Sequence, residues 1–507
     1  MDQSPSQASP AQTSRPSLQS GLMLWLAGLL RPIQGFRLIY LPLAMVFFAY
    51  GAQGIIDVTR DLWIKENLTW SPAELAGIGV WLNLPWTVKM VFGELVDSVT
   101  IFGSQRKAYV VIGAVLMAFG MVTLASAAGG WLVLARADHL YILGAMLIVI
   151  GTVVQNVVAE AMSTEVVARR DSAGNARPKG EVRAELGMVQ VIGRLALSAG
   201  ILAVAGLSGW LASVLDHATV FLLGLLIPAI SVIGVLVIDV ETRERRPLDW
   251  RMLGGGIAFG VVIAALALGS VPFAQELIFV ISLAVICTML GVVTRGFDRN
   301  TRRAILYTSI IIFVFRATPL VGDGYFWWTL DVLQFDAAFY GVLRQTGAIL
   351  SIVAIWLFSK QVTEYPVAKV LFWIVIAGTV LSLPSIGLFY GLHHWTEAMF
   401  GFGARAIGLI DAATASPFAQ LSMIPLLTLI AFYAPSGHRA TWFALMASLM
   451  NTALIAGQLQ TKYLNEIFVV GRGTYGELGD LLIATALIGF VVPLAVIALF
   501  GRRVGAS

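Results

Sequence analysis

Apolar stretches of about twenty residues, each enough to cross the hydrocarbon core of a bilayer, follow one another almost without interruption from residue 38 to residue 500. Only 12% of the residues are charged, roughly half the share that coats a soluble domain. A soluble globule of this length is thereby excluded. The chain is expected to be an all-α, polytopic membrane protein.

Charged, proline and polar clusters divide the apolar sequence into spans at residues 38–62, 73–97, 108–128, 139–163, 184–209 and 218–239. Two shorter runs, 253–270 and 275–294, meet at Pro272, and six more spans follow at 304–328, 337–359, 367–391, 403–434, 440–467 and 478–500. At one span per roughly twenty residues this gives about fourteen transmembrane helices. The domain division is then a Ser- and Pro-rich tail with an interfacial lead-in over 1–36, a six-helix bundle over 37–252, an extra hairpin over 253–297 and a second six-helix bundle over 298–507. Six spans, an insert and six spans suggest two pseudo-symmetric halves, the plan of the major facilitator fold.

Basic residues gather in alternate loops: Arg106 and Lys107; Arg169, Arg170, Arg177, Lys179 and Arg183; Arg243, Arg245, Arg246 and Arg251; Arg295, Arg299, Arg302 and Arg303; Arg502 and Arg503. The positive-inside rule places both termini in the cytoplasm, with a bacterial inner membrane as the expected location. The net charge of +4 reports this orientation and not a nucleic-acid partner. Trp63, Trp70, Trp131, Trp210 and Trp395 fall at the opposite span ends, where an aromatic belt is expected.

Ionisable residues far from a span's ends are costly in lipid and mark sites of function. Arg194 and Arg316 lie near mid-membrane in opposite halves. A guanidinium keeps its charge and offers a planar fork to a carboxylate, so the pair suits an anionic solute. With Trp86, Lys89, Gln155 and Asn156 the two arginines form the expected substrate-binding set. The competing reading pairs each arginine with a carboxylate such as Glu160 or Asp323 and makes it a helix tie. Glu94, Asp97, Arg106, Glu160 and Glu165 cluster at one span end, where ion pairs suit a gate. A desolvated Glu160 or Asp57 suits proton loading. Asp57, Asp323 and Arg344 are expected in an outer charge network, with Arg405, Asp411 and Asp331 nearby. Tyr325 to Trp328 read as a belt, with ring stacking as the alternative.

The five histidines, His139, His217, His393, His394 and His438, fall near span ends without carboxylates at ligand spacing. Gly254, Gly255 and Gly256 sit in an apolar run with no strand before them and read as helix-packing glycines. Cys287 is the single cysteine. No metal site, cofactor or catalytic triad is expected, and an enzyme is the least supported class.

Several spaced motifs occur in one order along the chain. They are Pro85-Trp86-x-x-Lys89, Gly93-x-x-x-Asp97, Ile101-Phe102-Gly103-x-x-Arg106-Lys107-x-Tyr109 and Asn156-x-x-x-Glu160-x-x-x-x-Glu165. Phe335 to Gly341 with Leu343-Arg344, and Pro435-x-Gly437-x-x-Ala440-Thr441-x-Phe443-Ala444 with Asn451, continue the series. Together they resemble the folate-biopterin transporter family of the major facilitator superfamily. The sequence departs from that family at Met90 (a second proline there), at Asn156 and Glu160 (aspartates), at Arg439 (glutamate) and in the extra hairpin. The resemblance implies alternating-access transport of an anionic pterin- or folate-like solute driven by an ion gradient, with a proton as the expected coupling ion. A transporter of another organic solute and a non-transporting membrane assembly or delivery factor are the alternatives. Cargo, direction of travel and oligomeric state are left open by the residues.

Overall fold

The computed structural model describes residues 36–132, 136–171, 173–238, 250–269, 271–364, 366–432 and 439–504. The expected tail and interfacial lead-in lie largely outside the described residues, as do Pro435 and Gly437 of the last motif and Arg243, Arg245 and Arg246.

The first half comprises α1 (Leu41–Ala52), α2 (Asp57–Asn67), α3 (Pro72–Thr87), α4 (Lys89–Ser98), α5 (Lys107–Gly129), α6 (Ala137–Glu165), α7 (Lys179–Val214), α8 (His217–Leu223) and α9 (Leu226–Val237). The hairpin is α10 (Trp250–Leu268) and α11 (Ala274–Val293), and the second half runs through α12 (Arg299–Arg316), α13 (Asp323–Asp331), α14 (Ala337–Glu364), α15 (Val367–Phe389), α16 (Leu392–Phe400), α17 (Ala404–Phe432), α18 (Arg439–Ile467) and α19 (Leu478–Phe500). A helix satisfies its own backbone polar groups, which lipid cannot do. The sequence also signals its helix starts: Ser71 and Glu74 form a reciprocal capping box ahead of α3, and Asp298 accepts from the Asn300 and Thr301 amides ahead of α12.

Among the described residues, eleven helices or joined helix pairs are long and apolar enough to cross a membrane, so the count of about fourteen is not reproduced by length and hydropathy. One departure has a local cause. The span expected over 304–328 is broken between Arg316 and Asp323, where Pro319 removes an N–H donor and Gly322 adopts a left-handed φ of 84°. The first hairpin run keeps its helix, Trp250–Leu268.

Each half has its own core. Met117, Met121, Leu124 and Phe221 pack in the first, and Leu371, Leu426, Leu445 and Met446 in the second. Trp63 belongs to the first core, only 2% exposed and packed on Tyr141 and Phe221, so it is not a belt anchor. Trp327 and Trp328 are likewise buried, which corrects their expected place in a belt or a stacking platform. Trp131, Trp210 and Trp395 are exposed as a belt requires. The hairpin rests on the seam between the halves: Gly256 abuts Val91 of α4, while Glu276 pairs with Lys462 of α18 at 3.0 Å.

Candidate functional site

Leu38 and Arg503 lie at one end of the helices, called here the termini end; the other is the distal end. At the distal end a charged seal joins the two halves. Arg344 of α14 donates to Asp57 at 2.9 Å and to Asp61 at 3.3 Å, and Arg60 pairs with both aspartates, at 3.0 Å and 2.9 Å. Asp323 stands at the start of α13 within the field of Asp61 and Arg60, without an ion pair of its own among the described residues.

Further out, Lys65 pairs with Asp331, to which the Tyr475 hydroxyl also donates. Burial alone would raise the Asp331 pKa, but the hydrogen bonds from Lys65 and Tyr475 and the Lys65 charge hold it below the ordinary carboxylate value. Arg472 donates from all three guanidinium nitrogens to main-chain carbonyls of the first half: Lys65 at 2.8 Å, Trp70 at 2.7 Å and Ile64 at 3.2 Å. Its guanidinium carbon lies 4.3 Å from the Trp327 ring centroid. Beside the seal, α7 and α14 cross with almost no side chain between them, since a Cβ on Gly209 would come within 2.4 Å of Gly341 Cα and Ala337 O. Gln345 accepts from the Gly206 amide at 2.8 Å on the same seam.

Beneath the Asp57–Arg344 bridge lies a cavity of about 520 Å³ shared by both halves. Gly51, Gly54 and Ser198 line it from the first half, and Gly347, Ser351 and Ser416 from the second. Arg194 lies one turn before Ser198, on the same face of α7, and its side chain is exposed. Next to Gly51, Tyr50 packs against Trp86 with ring centroids 5.8 Å apart and the planes tilted by 31°, within the fields of both Arg194 and Glu160. Lys89 donates to Asn156 and Glu160, each at 2.6 Å, and lies 5.9 Å from the Trp86 centroid. The Trp86 carbonyl accepts from Asn451 of α18 at 3.0 Å, so this cluster meets the second half directly.

Arg316 ends α12 at the helix break, half-buried, with an unpartnered buried Nε. Gln460 occupies the neighbouring Ala317 carbonyl at 2.6 Å. Among the described residues neither Arg194 nor Arg316 forms an ion pair. Glu160 is taken by Lys89, and Asp323 faces Arg60. The competing helix-tie reading therefore has no partner for either arginine.

At the termini end Arg106 is buried and pairs with Asp97 at 2.9 Å and with Glu165, while its Nη1 donates to the Val96 carbonyl at 3.1 Å. Glu94 accepts from Ser98 at 2.8 Å. Through these contacts the network fastens the α4–α5 loop to α6 within the first half. One expected site residue is displaced. Gln155 is buried, donating to the Val110 carbonyl at 3.0 Å and to Ser231 at 2.8 Å; the polar groups of α5 and α9 draw its amide into the bundle, away from the shared cavity.

Lys65, Arg472 and Tyr50 are not among the expected site residues. Lys65 and Arg472 carried a signal: they are rare cations in loops otherwise depleted of them, and each is held by the opposite half. Tyr50 gave none, being one aromatic residue in an apolar run.

The BT1 family model matches residues 50–504. A folate-biopterin transporter from Synechocystis sp. is 24% identical over 432 residues, 84% of this chain and 75% of that protein. A probable folate-biopterin transporter 4 from Arabidopsis thaliana is 22% identical, covering 89% of this chain and 92% of that one. Among solved structures, a POT family transporter in complex with 5-aminolevulinic acid superposes with a TM-score of 0.64 at 13% identity, covering 91% of this chain and 96% of the other, a likeness of fold. The fold is thus of the major facilitator type, and the chain belongs to the BT1 family, the folate-biopterin transporter family that its motifs resemble, as a multi-pass membrane transporter and not an enzyme.

Proposed function

We propose that the protein moves an anionic pterin- or folate-like solute across the membrane by alternating access, coupled to an ion gradient. The observation that carries this reading is the pair of mid-membrane guanidinium groups, Arg194 and Arg316, one from each half and neither neutralised by a carboxylate among the described residues. A charge held in lipid without an internal partner costs about 2.5–3.5 kcal/mol even on insertion scales, and an anionic cargo supplies the missing partner. The Tyr50–Trp86 pair beside Arg194 offers a flat apolar face for a ring, and the exposed carboxylate of Glu160 offers acceptors to ring N–H groups. The curated relatives are named for folate and biopterin transport, which agrees with a ring carrying carboxylates.

The distal seal and the α7–α14 crossing describe a conformation closed at the distal end. With the termini end cytoplasmic, as the basic loops favour, this is the inward-facing state of the cycle. Asp57, Asp61, Arg344 and Asp323 then form the outer gate, while Glu94, Asp97, Arg106 and Glu165 brace the inner end of the first half.

Uptake of labelled folate into vesicles holding purified protein tests the assignment. Arg194→Gln is expected to weaken uptake of carboxylate-bearing folate far more than that of neutral pterin. Equal losses for both solutes, or no uptake above empty vesicles in either gradient direction, would overturn it.

A further inference from the structure

A second cavity, of about 380 Å³, lies wholly within the C-terminal bundle, between the helix break and α15, α17 and α19. It is lined from Ile374 to Ile386 on α15 and from Leu482 to Pro493 on α19, a run of roughly 16–18 Å at 1.5 Å per residue. Hydroxyl-bearing residues line it along its length: Thr318 beside the break, Thr379, Ser382 and Ser385 on α15, and Thr485 on α19, with Thr379, Ser382 and Thr485 donating to carbonyls of their own helices. Ser385 connects this space to a carboxylate behind the wall, donating to Asp411 Oδ1 of α17 at 3.0 Å.

Asp411 differs from the ion-paired carboxylates of the spans, and from Asp323, which has no ion pair but lies within the field of Arg60. Asp57 carries Arg60 and Arg344, Glu160 carries Lys89, and Glu165 carries Arg106. An ion-paired carboxylate keeps its charge, because protonation forfeits the pair. Among the described residues Asp411 has one neutral hydroxyl and no cation. The titratable group facing it is the Tyr325 phenol of α13, which reaches the same serine. Of the cations on the helices around it, Arg344 of α14 is held by Asp57 and Asp61, Arg405 of α17 itself by Asp336, and Arg316 of α12 is not paired with it. In a low-dielectric surround an uncompensated carboxylate is stabilised by taking up a proton.

We propose that Asp411 is the proton-carrying group of the transport cycle, loading and releasing its proton through Ser385 and the hydroxyl-lined cavity. The carboxylate takes a proton from water entering on the distal side and becomes a neutral acid; the same proton returns to water when the bundle opens the other way. Because the cavity ends at the broken helix that carries Arg316, the change of charge bears on the segment assigned to the anionic cargo. This proposal rests on the transporter reading and supplies its coupling site, in place of Glu160 or Asp57.

Two measurements test it. In the first, infrared titration of the purified protein is expected to show a carboxylic-acid C=O band that titrates in the wild type, is missing in Asp411→Asn and shifts in Ser385→Ala. In the second, vesicles are loaded with labelled folate under an imposed pH gradient. Asp411→Asn is expected to lose the gradient's contribution to accumulation relative to folate exchange, and Asp411→Glu to restore it. The glutamate variant also carries the test if the amide variant does not fold. A titrating band that survives in Asp411→Asn, gradient-driven accumulation that survives there, or accumulation that follows sodium and not pH overturns the proposal. Should the wild type carry no folate, the cargo reading fails while the infrared titration still decides Asp411.

Discussion

The crossing of α7 and α14 allows one substitution to be read as a change of conformation and not of fold. A Cβ at Gly209 would come within 2.4 Å of Gly341 Cα, Gly341 N and Ala337 O, all main-chain atoms of the other half, and main chain cannot turn aside as a long side chain can. Overpacking of this kind costs about 1–3 kcal/mol. The clash exists only while the distal ends are together, so Gly209→Ala penalises the distal-closed state alone. Converted to populations, that is roughly a 5- to 150-fold shift toward the distal-open state. Gly51→Ala is the control. Its Cβ would meet Leu197 O at 2.0 Å, inside the first bundle, so it strains both conformations alike and lowers stability without moving the balance. Spin-label distances between the distal ends of the two halves, with melting temperature measured in parallel, separate the two effects. Should Gly209→Ala lower the melting temperature while the distance distribution stays put, the crossing would be a fixed element of the fold and the two-state argument would fail.

Three further outcomes follow from the charged clusters. Arg472→Lys keeps the charge but loses the fork that binds three carbonyls, and hydrogen bonds from charged groups are worth about 1.5–3 kcal/mol each; distal cysteine pairs across the seam should cross-link more slowly, and an unchanged rate would count against Arg472 as a clasp. Glu165→Gln leaves the buried Arg106 short of a carboxylate, a change that costs about 3–5 kcal/mol when a buried pair loses one member, so the melting temperature should fall with the distal distances unaltered. The depressed Asp331 pKa means that its bond to Lys65 stabilises the latched state fully above the ordinary carboxylate pKa of about 3.9 and loses that contribution as pH falls through the lower folded value. Distal cysteine labelling in Asp411→Asn should therefore be flat between about pH 5 and pH 8, and a midpoint inside that window would show that another group governs the latch.

What the letters disclosed and what they hid separate along a physical line. Depth was legible, because a cation twelve or so residues into an apolar run sits near mid-membrane by the helix rise alone; Arg194 and Arg316 were found that way, and so was the Arg106 cluster at a span end. Partnership was not legible, because the contacts that decide a role lie far apart in the chain. Arg344 meets Asp57 across 287 positions and Arg472 meets Lys65 across 407, and only folding brings them together. Direction around a helix was also hidden where both faces are apolar. Gln155 and Asn156 are neighbours, yet about 100° of helical turn sends the first into the bundle and the second to Lys89. The tryptophans erred for the same reason: a span end signals a belt only when the ring faces lipid, and Trp63 and Trp327 face the core. The break at Pro319 and Gly322 was missed, because the apolar run around it reads as one span, and it matters most, since it places Arg316 at a helix end where a small rotation can present or withdraw its guanidinium. Asp411 then ties the break to a change of charge: among the described residues it has no cation, and it stands beside a hydroxyl-lined space that ends at that hinge.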